Sequence, residues 1–268
     1  MAITIRNLRF DLATVPRHWH GGRRGVTSFF DNLSVFFPAG ERFFIHSVNA
    51  HRSRVSSPAL QAEVRAFAAQ EGFHTREHER YNDLLAAQGY PVVAMDARVQ
   101  RLLGWVRRVA PRRWQLGATC ALEHFTALLA HMLLSDEAAL EGAHPAMAAL
   151  WRWHAAEENE HKAVAFDVFT EAGGSYPERA GTMALATVVF WAKVFEHQLR
   201  MMRADGTLWS PREWAELGRW LFFSPGPLRR LLRPYLAYYR PGFHPWDFDN
   251  HALLERWESS YLHQGEAA

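Results

Sequence analysis

The sequence predicts an all-α protein, a four-helix bundle with an additional crossover helix and further helices toward the C-terminus. Three observations lead there. Apolar residues recur at helical spacing over long stretches, as in Leu60, Val64, Phe67, Ala68, Tyr81 and Leu85. Pro and Gly punctuate the chain between such stretches, and no sheet-forming run separates them. Two of the predicted helices carry Glu and His three residues apart, Glu71 with His74 and Glu158 with His161. Residues at i and i+3 share a helix face, so each pair aims a carboxylate and an imidazole at one spot.

In chain order, residues 1–24 read as an N-terminal arm. His18 and His20 beside Trp19 admit a metal reading, but the Gly21-Gly22 pair favours a solvated, irregular segment. Residues 25–250 read as a single helical domain and 251–268 as a frayed C-terminal tail. Residues 25–37 predict a short helix that stops before Pro38. Pro38 then opens a second helix running to about Arg54, which puts Glu41 in a first turn. The helix dipole favours a carboxylate there, a competing explanation for Glu41. Ser57-Pro58 starts a helix to about Gln88. Glu77, Glu79 and Arg80 read as its solvated face.

Residues 92–109, rich in Arg, predict an outer crossover. Residues 112–138 form a third core helix in which Glu123 is the only acid between Arg112 and Ser135. An isolated carboxylate on an apolar helix needs a partner. A fourth core helix runs from Pro145 to about Ala172 and stops at Gly173-Gly174. Residues 177–203 predict a long helix packed on the bundle, with a substrate-cavity roof as the competing reading. Ser210-Pro211 opens another helix, and Pro225 to Tyr239 a basic one with Arg229, Arg230 and Arg233. Residues 241–247 form a turn cluster.

About one chance Glu-x-x-His is expected in a chain this rich in His, so a lone pair is weak evidence. Three occur. The third, Glu141 and His144, spans Gly142 and precedes Pro145, which marks a connection between helices. The other two each have a Glu upstream. Glu41 lies 30 residues before Glu71, and Glu123 lies 35 before Glu158. One helical hairpin returns the chain to the same level over such a distance. Glu…Glu-x-x-His, twice, is the ligand set of a dinuclear metal site inside a four-helix bundle. The predicted ligands are Glu41, Glu71, His74, Glu123, Glu158 and His161. His78, His124, His154 and Glu157 are candidates to support them by hydrogen bonds. Glu157 also shares a face with His161, so it competes with Glu158. Glu160 is a further candidate to orient ligands, but a solvated acidic face explains it best.

Formal net charge is +2 with 30 Lys+Arg against 28 Asp+Glu, so no strong nucleic-acid field is implied. Cys120 is the only cysteine, which excludes an internal disulfide and a Cys-rich metal site, and it reads as a small buried residue. No secretory signal pattern and no run of 18 uncharged apolar residues occurs; 182–192 is the nearest and is too short. A cytoplasmic protein is expected, without nucleic-acid or membrane partners, and with a homodimer as an open possibility.

The chain resembles a bacterial ferritin-like family of predicted metal-dependent hydrolases. The resemblance rests on Phe37-Pro38-x-Gly40-Glu41-x-Phe43-Phe44, Gln70-Glu71-x-x-His74, Glu123-His124, Glu157-Glu158-x-Glu160-His161 and Tyr239-Arg240-Pro241-Gly242-Phe243-His244-Pro245. It covers about residues 25–248. It implies a ferritin-like helical fold and a metal site at the six residues named above.

Four carboxylates and two imidazoles make a hard donor set that suits iron first, then manganese. Two divalent ions balance four carboxylates. Three functions follow in order of expectation. The first is a di-iron oxidase or oxygenase acting with O2, and with an electron donor, on a small organic substrate. The second is a hydrolase using metal-activated water. The third is non-enzymatic iron binding.

Overall fold

The structure, a computed structural model, describes residues 3–265, with side chains through residue 261. Among these residues the protein is all-α, with no strand beyond one isolated bridge between His20 and Ala143. Four helices pack in a closed ring: α1 (Arg24–Asn49), α2 (Pro58–Ala87), α4 (Arg112–Ser135) and α5 (Pro145–His161). In that ring α1 lies against α2 and α4, and α5 lies against α4 and α2. The crossover α3 (Val92–Val109) joins α2 to α4 across the outside of α1, burying little beyond Val92, Met95 and Val99. Then come α6 (Val164–Glu171), α7 (Tyr176–Ala204), α8 (Pro211–Phe222), α9 (Pro227–Ala237) and α10 (His251–Gly265).

Helix starts follow local chemistry. Ser57 Oγ accepts from Leu60 N at the head of α2, and Ser210 Oγ accepts from Glu213 N at the head of α8. Ser175 and Glu178 form a reciprocal capping box on α7. Gly173, at φ +77°, terminates α6 in the left-handed region. Gly117 lets α7 approach α4, since a Cβ there would lie 2.8 Å from Thr182 Oγ1.

Several expectations are corrected. The first core element is one continuous helix: Pro38 lies inside α1 instead of dividing it. Proline removes the amide that would bond the carbonyl four residues back, which is Ser34. Asn82 Nδ2 of α2 donates to that carbonyl at 3.1 Å, so the freed acceptor is satisfied from outside the helix. Glu41 is therefore mid-helix, and the first-turn explanation for it falls away. The fourth core helix breaks after His161 into α5 and α6. Lys162 and Ala163 are not helix breakers; tertiary contacts override propensity. Lys162 Nζ donates to Phe248 O at 2.6 Å and Asn250 Oδ1 at 2.9 Å, tying the C-terminal loop to the step.

The N-terminal segment is irregular as expected but not solvated. Leu12, Val15, Trp19 and His20 are buried, and His20 is structural, with Nε2 2.8 Å from Ala139 O. The tail after 250 is not frayed up to residue 265: it forms α10, with Leu254 buried. Residues 266–268 lie outside the described ones. Glu77 is buried, accepting from Phe10 N and pairing with Arg76 and Arg80. Glu160 is buried as well. Cys120 is buried, as expected. Helix α4 is long and apolar enough to cross a membrane on length and composition alone, yet 72% of its apolar window is buried within the fold.

Two apolar clusters fill the ring. One holds Phe30, Leu33, Tyr81, Ala130, Trp151 and Ala155; the other holds Phe44, Val64, Phe67, Cys120 and Val164. On each of the four helices a Glu falls between the two clusters: Glu41, Glu71, Glu123 and Glu158. A polar layer is thus sandwiched in an otherwise apolar interior.

Candidate metal centre

Glu41, Glu71, His74, Glu123, Glu158 and His161 meet in this layer, each no more than 2% exposed. Helix α1 supplies Glu41, α2 supplies Glu71 and His74, α4 supplies Glu123, and α5 supplies Glu158 and His161. His161 Nε2 lies 3.1 Å from Glu71 Oε1, 3.4 Å from Glu123 Oε2 and 3.7 Å from Glu158 Oε2. His74 Nδ1 lies 3.7 Å from Glu158 Oε1. Three overlapping triads have donor atoms within 4.8 Å of one another: Glu71–Glu123–His161, Glu71–His74–Glu158 and Glu41–His74–His154. Glu71 and His74 each belong to two triads, so the donors form one composite cluster.

The donor atoms are conspicuously unpaired. Glu41 Oε1, both oxygens of Glu71 and of Glu123, Glu158 Oε2, His74 Nδ1 and His161 Nε2 are buried and lack an aligned hydrogen-bond partner. A buried carboxylate oxygen without a partner costs about 1–3 kcal/mol, more when charged. So many in one layer would be ruinous unless something else satisfies them. A bound metal ion would, and the hard oxygen and nitrogen donor set fits one.

The electrostatics agree. Burial pushes Glu71 up to about 8, with the charges of Glu123 and Glu158 adding to it against the neighbouring His161. Burial and then Glu158 hold Glu123 at about 7. Glu41 is raised by burial and by Glu71. Burial would raise Glu158 too, but the hydrogen bond to His154 and the nearby His161 outweigh it and hold the carboxyl well below its usual range. Burial opposes the charge on His161, yet Glu123, Glu158 and Glu71 hold it well above the usual imidazole range. His74 is pushed well down by burial, helped by His154. Without cations, the layer retains protons to limit its negative charge.

A second set of groups fixes the donors. Thr75 Oγ1 donates to Glu41 Oε2 at 2.7 Å. Glu157 Oε2 meets His74 Nε2 at 3.0 Å, and Gln70 Oε1 meets His161 Nδ1 at 2.9 Å. Gln70 Nε2 donates to Glu160 Oε2 at 2.9 Å, and Arg6 pairs with Glu160 at 2.8 Å. His154 Nε2 meets Glu158 Oε1 at 2.9 Å, His154 Nδ1 meets His78 Nε2 at 2.6 Å, and His78 Nδ1 meets Ser34 Oγ at 2.9 Å. Trp153 packs edge-on to His74 and Phe67 edge-on to His161, with centroids 4.9 Å apart in both pairs.

Of the four expected supporting residues, His78, His154 and Glu157 lie at the site. His154 stands closer than expected, within donor range of Glu41 and His74. His124 does not belong there: Nε2 meets Pro234 O at 3.3 Å and its ring packs on Tyr238 and Phe243, anchoring α9. Arg6, Ser34, Gln70 and Thr75 were not anticipated, and Glu160 supports the site where a solvated face is the preferred reading from sequence. Gln70 and Glu157 had a readable signal, since each immediately precedes a Glu-x-x-His motif.

Against this layer opens a cavity of about 510 Å³. Its wall on α1, α3, α4 and α7 is mostly apolar, including Phe36, Leu102, Leu122, Phe125, Val189 and Phe190, with Thr126, Thr182 and Lys193 the polar exceptions. Glu158 and His154 stand at its metal-side end. Helix α7 therefore does help to wall a cavity, the reading placed second from sequence. No curated protein and no solved structure matches the chain. The sequence profile of a family described as predicted metal-dependent hydrolases matches residues 4–249, almost the whole of the helical architecture and every donor described above. The chain is thus a member of that predicted metal-dependent hydrolase family.

Proposed function

We propose that the chain is a two-metal enzyme of ferritin-like architecture acting on a substrate with an extended apolar body, by metal-dependent hydrolysis. The observation that carries this is the contact between the unpaired donor layer and the apolar cavity at Glu158 and His154. Glu41, Glu71, His74, Glu123, Glu158 and His161 would hold the ions, iron or manganese by donor hardness. When bound, the ions supply an activated water and polarise the scissile group. The cavity of about 510 Å³ lies within the ~300–1,000 Å³ typical of small-molecule sites and would take the apolar part of the substrate. His154 stands at the cavity wall, bonded on one side to Glu158 and on the other to His78. It is the group positioned to hold or pass a proton at the reacting end, with Ser34 closing the relay.

A second reading, oxidation of the same kind of substrate by O2, is favoured by one observation. The cavity wall offers almost no polar group to seat a hydrolysable head, whereas an iron pair held by hard donors suits oxygen chemistry. One experiment separates the two. The protein is loaded anaerobically with Fe(II) or Mn(II), its metal content measured, and acyl esters of graded chain length offered with and without O2. Turnover without O2 supports hydrolysis. Substrate-dependent O2 uptake with no anaerobic product would replace it with oxidation. Failure to bind about two ions per chain would remove both.

A further inference from the structure

We propose that the mouth of the cavity docks on an anionic lipid bilayer, so that the substrate is an acyl lipid drawn directly from the membrane. The substrate class rests on the cavity reading above; the docking surface stands on separate observations.

The residues that both line the cavity and reach solvent define its mouth. They are Trp105 and Val109 of α3, Trp114 of α4 and Leu185 of α7, exposed by 56%, 56%, 44% and 58%. Val188, one turn along α7, is 69% exposed beside them. Four large apolar side chains ringing an apolar hole are costly to leave in water, and Trp is the residue that favours the boundary between headgroups and hydrocarbon.

Charge complementarity identifies the occupant. From residue 97 to residue 122, across the α3–α4 turn at the mouth, the chain carries six Arg and no acid. Arg98 and Arg113 are paired, with Glu196 and Glu178. Arg101, Arg107, Arg108 and Arg112 are exposed and have no carboxylate partner among the described residues. Their bonds go to backbone carbonyls or to His46. Unpaired guanidinium groups on the same helix and turn as the exposed indoles, with Arg101 and Arg108 on the flank of α3 around Gly104, match an anionic headgroup layer over acyl chains. A folded protein partner would not account for an open apolar cavity behind the mouth. No membrane-spanning helix is needed for such a contact, so the lack of a candidate outside the buried core does not oppose it.

The test is cosedimentation of the full chain with vesicles of phosphatidylglycerol and phosphatidylcholine, against pure phosphatidylcholine, at low and high salt, with and without metal. Binding should be confined to the anionic vesicles and weaken with salt. It should fall by roughly tenfold or more in R101E/R107E/R108E/R112E and in a milder version with Gln at the same positions. W105A/W114A should weaken it while leaving thermal melting intact. No binding by the parent chain at low salt, equal binding to neutral vesicles, or binding unchanged in the well-folded Gln variant would overturn the proposal. The readout requires no turnover. Loss of vesicle binding with two ions retained would sink the docking alone, and binding without metal uptake would sink only the metal chemistry.

Discussion

Glu157 of α5 meets His74 of α2 at 3.0 Å, and Gln70 of α2 meets His161 of α5 at 2.9 Å, so each helix orients the imidazole of the other. Gln70 and Glu157 hold equivalent places, one residue before the Glu of each motif. The first prediction follows from that reciprocity. In Gln70 an amide oxygen performs the task that a carboxylate performs in Glu157. Glu157→Gln should therefore keep His74 oriented, whereas Glu157→Ala should not. Loss of such an orienting bond typically costs about 10–100-fold in metal affinity. Competition with a chelator of known affinity should show that loss for Glu157→Ala and for Gln70→Ala, with Glu157→Gln close to the parent. Equal loss in Glu157→Gln and Glu157→Ala would mean that charge, not orientation, is what Glu157 supplies.

The second prediction concerns pH. Metal binding needs Glu71 and Glu123 deprotonated, and burial holds them at about 8 and about 7. Apparent metal affinity should climb as pH rises from 6 to 8. The metal-free protein should respond oppositely in the upper part of that window. A carboxyl whose folded pKa is raised stabilises the fold while protonated, and that contribution is lost as pH rises through the folded pKa. His161, held well above the usual imidazole range, has the same sign. His74 and His78 are pushed well down by burial, so they favour the fold increasingly up to about pH 6.5 and then stop changing. Between pH 7 and 8 only the destabilising groups remain. The metal-free melting temperature should drop across that interval and the metal-loaded one should not. A flat metal-free profile would contradict this account of the donor layer.

The donors were legible because their signal is local and periodic. Glu71 with His74, and Glu158 with His161, are three residues apart on strongly patterned helices, and Glu123 stands alone on an apolar one. What was missed depends on contacts across the fold. Glu160 looks solvated from its acidic neighbours, but Arg6 from the N-terminal segment covers it, a meeting across more than 150 residues that no spacing rule contains. His124, next to Glu123, reads from sequence as either a support of the metal or a structural residue, and its contacts make it the latter. One residue on a helix turns the side chain by about 100°, and that points it at α9 instead. The cavity is legible only as the second reading of α7 for a similar reason, since α1, α3, α4 and α7 each contribute apolar residues that read individually as core.

Pro38 gives a third prediction, because it was misread as a helix start for want of the same long-range view. Asn82 donates to the Ser34 carbonyl that Pro38 cannot serve, and Ser34 Oγ donates back to Asn82 Oδ1 at 2.9 Å. Asn82→Ala should leave a buried carbonyl without a partner, at a cost of about 1–3 kcal/mol. Pro38→Ala restores the missing amide, so it should recover part of that loss in the double variant. The sign of the coupling is the test. Denaturant unfolding of the four proteins should give a non-additive cycle in which Pro38→Ala helps more when Asn82 is absent. Strict additivity would show that the Asn82 bond does not compensate for the proline.

Ala118 gives the last prediction, at the boundary between the metal layer and the substrate space. It lines the cavity on α4, between the mouth residue Trp114 and Leu122 near the donors. It is only half-buried, so a larger side chain can point into open space without displacing packed neighbours. Ala118→Phe should fill part of the cavity and leave the donor atoms where they are. Metal content and metal affinity should stay at the parent level. Activity on long-chain substrates should fall by at least tenfold in kcat/KM, a loss of about 1.4 kcal/mol of transition-state binding, while short-chain substrates should lose much less. The chain-length dependence separates blockage from damage. A defect in the metal layer would lower all substrates together and would show in the metal analysis, whereas a filled cavity discriminates by length. Uniform loss with full metal content would mean that the apolar space does not hold the substrate's body, and that the reacting group reaches Glu158 and His154 by another route.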